Sequence, residues 1–258
     1  FDWLGAAPQL RRWADEKHAL GLGKMTWNVK VARFEATVDI DLDALRDAKG
    51  NVYAPRIQEI AINAARLPYN LTSDLIVAGA STVCYDGQYY YDTDHSEGDS
   101  GTQSNLLTGS GVDTLAHIRT DYYAGIKALN GFLDDKGIPM GPSDFRPVIW
   151  IPNVAAIRQY FEQLQVAVVV GGESNVLVNR FDLVVAPRLT DTLAWYMFRT
   201  GGALKPFVYV LREAPPYADN FGSYSPDVWS RRIGQAGAEA RGEAAYLLWQ
   251  KAVKINNS

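Results

Sequence analysis

The stretch CYDGQYYYDTDH, residues 84–95, holds the chain's only cysteine, one of its three histidines, four tyrosines and three aspartates. Such a set can serve a metal- or thiol-dependent hydrolase centred on Cys84, Asp92, Asp94 and His95. It can equally form a structural corner, in which aromatic rings pack and polar groups hold a turn. The choice between these two interpretations decides how the rest of the chain is understood.

The metal interpretation is weak because the ligands are too few and too irregular for zinc, and no second C-x-x-C or H-x-x-x-H motif is present. Residues 96–101 also lack the alternating acidic positions of a calcium loop. A nucleophilic pair of Cys84 and His95 would need hydrogen-bond contact and a third, orienting group. A lone cysteine beside aromatic residues is usually a small buried hydrophobe. We therefore predict no catalytic, metal-binding or cofactor-binding residue.

The structural interpretation accounts for each part of the stretch. Residues 85–88 are typical of a turn in which Gly87 adopts a positive φ angle. The tyrosines at 89–91 offer aromatic contact area, with hydroxyls that can satisfy nearby backbone groups. Asp92, Asp94 and His95 are expected to hydrogen-bond the start of the following loop, residues 96–105. The residues of this structural signature are Cys84, Tyr85, Asp86, Gly87, Gln88, Asp92 and His95.

The composition is that of a globular protein: 258 residues, 47% hydrophobic and 21% charged, with seven tryptophans and fourteen tyrosines. A net charge of −4 argues against a protein that holds nucleic acid on a basic face. One cysteine excludes an internal disulfide. No apolar run reaches the ~18 residues of a membrane-spanning helix. Because the chain begins at Phe1 rather than Met, we expect a preceding segment, cleaved or unrecorded.

A long β-hairpin is predicted at residues 12–37. Residues 26–40 nearly alternate apolar and polar side chains, with one slip near Ala32, which is typical of a strand with a bulge. A Gly-rich turn, GLGK at residues 21–24, precedes this arm. The hairpin is longer than a compact core needs, so we expect it to reach a neighbouring molecule. The residues predicted for that contact are Gly21, Gly23, Lys24 and Trp27.

Helices and strands interleave along the rest of the chain, without an internal repeat or a clear linker, which predicts an α+β fold. Asp41 is predicted to cap a short helix, and residues 48–51 to form a turn. A helix over residues 54–67 is predicted to be interrupted at Pro68 and to continue until Gly79 ends it. An amphipathic helix is predicted within residues 109–132 and another over 152–164. A helix or extended segment is predicted near 228–233, and strands at 147–151, 166–170, 175–178, 181–185, 195–198, 206–211 and 244–253.

Several motifs occur here in the same order as in one known family, and residues 84–95 are the most distinctive of them. The others are W-L-G at 3–5 with Leu10 and Trp13, F-E-x-T-V at 34–38, G-x-x-Y-A-P at 50–55, V-I-W-I-P at 148–152 and A-R-G-E-A-A-Y at 240–246. On these motifs the chain resembles the Mu-like phage and prophage major head subunits, the gpT-type capsid proteins, over nearly all of its length. Family members carry a further N-terminal arm before W-L-G, so contacts made by that arm cannot be located in this sequence.

The resemblance implies the Hong Kong 97-type capsid fold, shared by tailed phages and encapsulins. In that fold the hairpin would be the E-loop, which overlies a neighbouring subunit, and the helix near residues 54–78 would be the spine helix. The implied division of the chain is residues 1–40 for the N-terminal segment and E-loop hairpin, 41–108 for the peripheral domain with the spine helix, 109–193 for the axial domain, and 194–258 for the return to the peripheral domain and the C-terminal strands.

By the same resemblance the chain would be a structural protein rather than an enzyme. It would self-assemble, as hexamers and pentamers, into an icosahedral phage head that encloses double-stranded DNA without reading its sequence. Its partners would be further copies of itself, with portal, scaffold and decoration proteins as additional candidates, and no cofactor or membrane. Two alternatives stay open: an encapsulin-like shell around a cargo enzyme, which would lack the Y-D-G-Q motif, and the hydrolase described above.

Overall fold

The computed structural model of the chain describes residues 2–4, 24–140, 145–166, 169–170, 173–215, 217–222 and 225–257. The chain divides into two compact units. The first unit comprises Phe1–Asn28, Ser73–Val208 and Tyr246–Ser258, and the second comprises Val29–Thr72 and Tyr209–Ala245. None of the described helices has an apolar run sufficient to cross a lipid bilayer.

The described elements alternate between helices and strands, as expected of an α+β protein. The helices are α1 (Leu42–Ala44), α2 (Gly50–Ala78), α3 (Leu115–Gly131), α4 (Ala155–Val166) and α5 (Pro226–Arg231), with a π-helical segment (Leu45–Lys49) between α1 and α2 and a 3-10 turn (Trp249–Lys251) before the last strand. The strands are β1 (Asp2–Leu4), β2 (Lys24–Thr26), β3 (Ala32–Asp41), β4 (Leu106–Thr108), β5 (Val148–Ile151), β6 (Val169–Val170), β7 (Glu173–Ser174), β8 (Asp182–Val185), β9 (Ala194–Phe198), β10 (Phe207–Glu213), β11 (Tyr217–Asn220), β12 (Ile233–Tyr246) and β13 (Ala252–Asn256).

The first unit is built on a mixed five-stranded sheet with the strand order β4-β13-β9-β5-β8. Strand β9 is antiparallel to both of its neighbours, β13 and β5, and every residue of β9 is buried. The indole of Trp195 in β9 meets the ring of Phe161 in α4 edge-on, with ring centroids 5.0 Å apart. Burying aromatic side chains of this size is the main contribution that such a core makes to stability.

Helix α3 packs against α4 and β13 in the same unit. Its buried face carries Ile118, Tyr122 and Leu129, as the apolar spacing predicts. The helix predicted within residues 109–132 begins at Leu115, because the Thr114 hydroxyl caps it by accepting a hydrogen bond from the backbone N–H of His117 at 3.2 Å.

The second unit is organised around the long strand β12, which pairs with β3, β10 and β11. Its register with β3 is antiparallel and runs from Ile233 opposite Asp41 to Gly242 opposite Ala32. At the start of β12, Arg232 has a φ of 55° and donates hydrogen bonds of 2.6–2.9 Å to the carboxylate of Asp43. This bidentate pair ties the end of α5 to α1.

Two predictions about the long helix are wrong. Pro68 does not interrupt it, since α2 continues to Ala78. Pro68 lacks the N–H that would bond the carbonyl four residues earlier, and burial of Ile76 holds the end of the helix in spite of that loss. The Thr72 hydroxyl donates separately to the Pro68 carbonyl at 2.8 Å. Residues 48–51 are helical rather than a turn. The predicted cap at Asp41 and the predicted stop at Gly79 are both confirmed.

Two strand predictions are also wrong. Residues 176–179 form a turn, because the Asn175 side chain accepts a hydrogen bond from the backbone N–H of Leu177 at 3.0 Å and so competes with strand pairing. The segment predicted as one strand at 244–253 is the end of β12, a 3-10 turn and the start of β13. Of the predicted strand at 166–170, Val169–Val170 is confirmed, Val166 belongs to α4, and residues 167–168 lie outside the described residues.

The predicted hairpin is described only in part. Residues 5–23, which include Gly21 and Gly23, lie outside the described residues. Strand β2 pairs with β1, with Lys24 opposite Leu4. Residues 27–31 are not strand, which contradicts a continuous arm over 26–40, and β3 pairs with β12. The contact of this segment with a neighbouring molecule stays a prediction.

Candidate functional site

The stretch at 84–95 begins with a tight turn in the first unit. The backbone N–H of Gly87 donates to the carbonyl of Cys84 at 3.1 Å, and that of Cys84 donates to the carbonyl of Gln88 at 2.7 Å. Gly87 has a φ of 90°, which confirms the turn predicted for it. The Asp86 carboxylate accepts from the backbone N–H of Gln88 at 3.2 Å. The Asp86 carboxylate is therefore held against the backbone of the turn that carries it.

His95 is fully buried between two oxygen acceptors. Its Nδ1 lies 2.6 Å from Asp86 Oδ2, and its Nε2 lies 3.2 Å from Asn105 Oδ1. The orientation of the Asn105 amide is fixed, because its oxygen accepts from the backbone N–H of Asp92 at 2.9 Å and its nitrogen donates to the carbonyl of Tyr90 at 2.7 Å. Both ring nitrogens thus face oxygen atoms, a carboxylate on one side and an amide on the other, so the ring is held at both edges.

The Cys84 thiol is the second donor to the same carboxylate, with Sγ 2.9 Å from Asp86 Oδ1. Burial, together with the hydrogen bond to the anionic Asp86, raises the pKa of the Cys84 thiol far above its ordinary value. For Asp86 itself burial acts to raise the pKa, but the hydrogen bonds from His95 and Cys84 outweigh it and hold the pKa below its usual range. Cys84 is therefore a protonated donor in this cluster.

His95 also stacks on Trp249, with ring centroids 4.1 Å apart and planes inclined by 8°. The indole N–H of Trp249 donates to Glu97 Oε1 at 2.8 Å, and the hydroxyl of Tyr85 donates to the same oxygen. Burial raises the pKa of the Glu97 carboxyl, although these two hydrogen bonds act to lower it. The polar network thus continues from the turn, through His95, to the C-terminal 3-10 turn.

The three tyrosines take different positions. Tyr90 is fully buried, stacks on Tyr246 at 4.3 Å, and donates its hydroxyl to the carbonyl of Pro206 at 2.9 Å. Tyr91 is also buried, but its hydroxyl has no hydrogen-bond partner among the described residues. Tyr89 is half-exposed. The hydroxyl of Tyr90 therefore satisfies a backbone carbonyl as expected, whereas that of Tyr91 does not.

The arrangement is poorly suited to metal or thiol chemistry. Possible ligand atoms of Cys84, Asp86 and His95 lie within 4.8 Å of one another. Each of these atoms already takes part in a hydrogen bond inside the cluster, and the thiol would have to lose a proton that its burial makes hard to remove. An activated cysteine needs the opposite, a lowered pKa and access to solvent. The cluster can hold two chain segments together, and that is the chemistry its geometry supports.

The remaining predicted residues lie apart from this cluster. Asp92 accepts from the backbone N–H groups of Thr93 and Tyr89 at 2.7 and 3.3 Å, and its own carbonyl accepts from the loop residue Asn105 at 3.1 Å. Asp94 is exposed and accepts from the Gln88 amide at 3.3 Å. Trp27 is half-buried and packs against Leu247 and Leu248 of its own subunit. The hydrolase set of Cys84, Asp92, Asp94 and His95 is thus not assembled in one place.

Sequence reasoning missed three members of the site, Glu97, Asn105 and Trp249. Glu97 and Asn105 stand in a polar loop whose Gly and Ser residues indicate loop structure and do not reveal that Asn105 is buried and Glu97 partly buried. Trp249 is far away along the chain. A buried histidine needs hydrogen-bond partners for both ring nitrogens. The polar residues that follow His95 in the sequence were therefore the available signal for such a partner.

The class of fold follows from similarity to solved structures. The mature capsid of bacteriophage PhiM1 aligns with a TM-score of 0.60 at 12% identity, covering 100% of this chain and 81% of that chain. The capsid of bacteriophage JBD30 decorated with minor capsid protein trimers aligns with a TM-score of 0.56 at 18% identity, covering 74% of this chain and 85% of that chain. The fold is that of the Hong Kong 97-type phage capsid proteins, as the resemblance implied.

The family follows from sequence. The model of the family "Mu-like prophage major head subunit gpT" matches residues 1–118 and 190–258, and the chain belongs to this family. The Mu-like prophage FluMu major head subunit of Haemophilus influenzae is 21% identical over 252 residues, which cover 98% of this chain and 59% of that protein. The chain therefore spans about three fifths of the length of that relative.

Proposed function

We propose that the chain is a major capsid subunit that self-assembles into the icosahedral head of a Mu-like tailed phage, enclosing double-stranded DNA, and that it is found in the virion. The observation that carries the proposal is membership of the head-subunit family on a phage capsid fold. The buried corner at residues 84–105 agrees with it, because its titratable groups bond to one another and hold chain segments together. On this proposal the chain is not an enzyme.

The charge of the chain suits a DNA container. A net charge of −4 gives the subunit no general attraction for a polyanion. Tight phosphate binding would hinder the movement of DNA during packaging and ejection, because each phosphate contact adds to the affinity. The shell would therefore be held by contacts between subunits, and its contact with DNA would be independent of sequence.

The proposed assembly uses contacts between different patches of neighbouring copies, which close into rings of five and six. Many weak contacts per subunit add up to a stable shell. We propose that the segment with Gly21, Gly23, Lys24 and Trp27 takes part in this by overlying a neighbour, with Trp27 held at its base by its own subunit. The division into an E-loop segment at 1–40, a peripheral domain at 41–108 with a return at 194–258, and an axial domain at 109–193 belongs to the same proposal.

Further partners follow from the same assembly. A head of this kind meets a portal and a scaffold during assembly, and the JBD30 capsid carries trimers of a minor capsid protein. A decoration protein is therefore proposed as a partner of the assembled shell. No cofactor is part of the proposed function.

The test is the particle itself. The purified chain should elute as megadalton assemblies, and negative-stain images should show icosahedral shells. Double-stranded DNA inside particles made during phage growth would support a head, whereas protein cargo would support an encapsulin-like compartment. A small oligomer with bound zinc or hydrolytic turnover would contradict the proposal.

A further inference from the structure

One aromatic side chain stands out on the surface of the second unit. Trp229 in helix α5 is 84% exposed, more than any other large hydrophobic residue in the described part of the chain. The helix that carries it is held in place, because its end at Arg232 is tied to Asp43 by the bidentate pair. Tryptophan on a rigid support and exposed to water is typical of an interface centre, since truncating such residues commonly costs a large part of the binding energy.

The same unit contains an open apolar cleft between α2 and the sheet. Its cavity volume is about 570 Å³. The walls come from one face of α2 and from the sheet side, and the residues that form them include Ile57, Ile60, Ala61, Ala64, Pro215 and Ala238. Ala61 is exposed, so the cleft is open to solvent. A cleft of this size and chemistry accepts an aromatic ring readily.

Trp229 does not line the cleft of its own chain. The tryptophan precedes β12, which begins at Ile233, whereas the cleft lies beside Ala238, five residues further along the strand. Five residues of strand correspond to roughly 15 Å. Each chain therefore presents an exposed apolar side chain and, elsewhere on the same unit, an open apolar cleft.

We propose that Trp229 of one copy inserts into the α2 cleft of a second copy. The contact is between two different patches, so each copy donates its tryptophan to one neighbour and receives another from a second. This inference rests on the proposed assembly function, and names one of its contacts.

Charge near the two patches is complementary. A smaller groove shares Ala64 and Ala238 with the cleft and is lined by Glu35 and Glu239. These two glutamates stand directly opposite each other on β3 and β12, and neither has an ion pair among the described residues. Like charges in that position are destabilising unless a cation lies between them. Arg231 is exposed and stands two residues after Trp229, so the proposed insertion would bring its guanidinium toward these glutamates.

The first test is cross-linking from the tryptophan position. The photoreactive residue p-benzoylphenylalanine replaces Trp229, and chains of natural isotope content are co-assembled with ¹⁵N-labelled chains before irradiation. The expected product joins position 229 to the tryptic peptide of residues 57–66, with the two halves carrying different isotope labels. A cross-link to the hairpin segment or to another surface, or one formed only within single chains, would overturn the inference.

The second test changes the tryptophan and the cleft separately. Trp229→Ala removes the inserted side chain and Ala61→Phe fills the cleft. Each substitution should raise the subunit concentration required for particle formation at least about tenfold. The control is Ile62→Ala, since Ile62 is 42% exposed on the same helix but does not line the cleft. It should assemble like the unmodified chain, and all three variants should melt like the unmodified unassembled subunit.

The outcomes separate this inference from the proposed function. If Trp229→Ala assembles at the concentration of the unmodified chain, the tryptophan contact is wrong while the capsid function stands. If the unmodified chain forms no shells at all, the capsid function is wrong, and the isotope-mixed cross-link at high chain concentration still decides whether the contact exists.

Discussion

The imidazole of His95 lies flat on the indole of Trp249, and both rings are completely buried. His95 closes the signature stretch, whereas Trp249 belongs to the 3-10 turn near the C-terminus. Each ring also fixes a carboxylate, His95 through Asp86 and Trp249 through Glu97. The corner at residues 84–95 and the C-terminal 3-10 turn therefore depend on each other for burial. Substitution of either ring should lower the stability of the first unit.

Replacing His95 with alanine should destabilise the unassembled subunit by about 3 kcal/mol or more, because it leaves the buried Asp86 carboxylate without its main partner and opens a cavity beside Trp249. Chemical denaturation measures the change. His117→Ala is the matched control, since His117 is exposed and pairs with the exposed Asp113, and it should change stability by no more than about 0.5 kcal/mol. Equal effects of the two substitutions would contradict the buried pair.

The adjacent tyrosines should respond differently to loss of their hydroxyls. Tyr90→Phe removes the hydrogen bond to the Pro206 carbonyl and should cost about 1 kcal/mol. Tyr91→Phe removes a buried hydroxyl that has no partner among the described residues, so it should be neutral or stabilising by up to about 1 kcal/mol. Thermal or urea unfolding of the two variants side by side measures the difference. A larger loss of unfolding free energy for Tyr91→Phe than for Tyr90→Phe would contradict these two hydroxyl environments.

The Glu97 carboxyl should make the free energy of unfolding depend on pH, with a sign that follows from its raised pKa. Burial raises the pKa of its carboxyl, so its favourable contribution is complete below the ordinary carboxyl pKa and is lost as the pH rises through the raised value. Glu97→Gln cannot ionise and keeps an oxygen that accepts from Tyr85 and Trp249. The free energy of unfolding of this variant, relative to the unmodified chain, should therefore increase between about pH 4 and pH 7.

The control for this pH series is Glu162→Gln, because Glu162 is half-exposed and pairs with Arg158 on the surface of α4. Its stability relative to the unmodified chain should stay within about 0.5 kcal/mol at both pH values. A flat difference for Glu97→Gln as well would mean that the Glu97 carboxylate is not held in a buried environment.

Gly79 should not tolerate a side chain. A Cβ at this position would lie 2.6 Å from Cε2 of Tyr91, whose ring is fixed in the core, so Gly79→Ala should cost about 1–3 kcal/mol. Gly131, the last residue of α3, has nothing within 4 Å of such a Cβ, and Gly131→Ala should gain about 0.5 kcal/mol. Calorimetric melting of both variants tests the contrast, which disappears if Tyr91 can move aside.

Local patterns predicted the elements that depend on a few neighbouring residues. The turn at Gly87, the cap at Asp41 and the buried face of α3 are all as predicted, because φ preference, capping and apolar periodicity act within one or two turns of chain. The same local reasoning failed at Pro68. There the burial of Ile76 further along α2 outweighs the lost hydrogen bond. That burial depends on tertiary packing and cannot be predicted from the residues next to Pro68.

At the candidate site, too, one part could be predicted from the sequence and another part could not. The sequence alone determined that residues 84–95 form a corner with Gly87 at its turn, and its motifs determined the family. Only the tertiary structure decided that His95 stands between Asp86 and Asn105, against Trp249, with Glu97 beyond. The physical reason is that a buried polar group must find partners wherever the packed chain brings them. Packing is set by burial over the whole unit, which spacing along the sequence does not record.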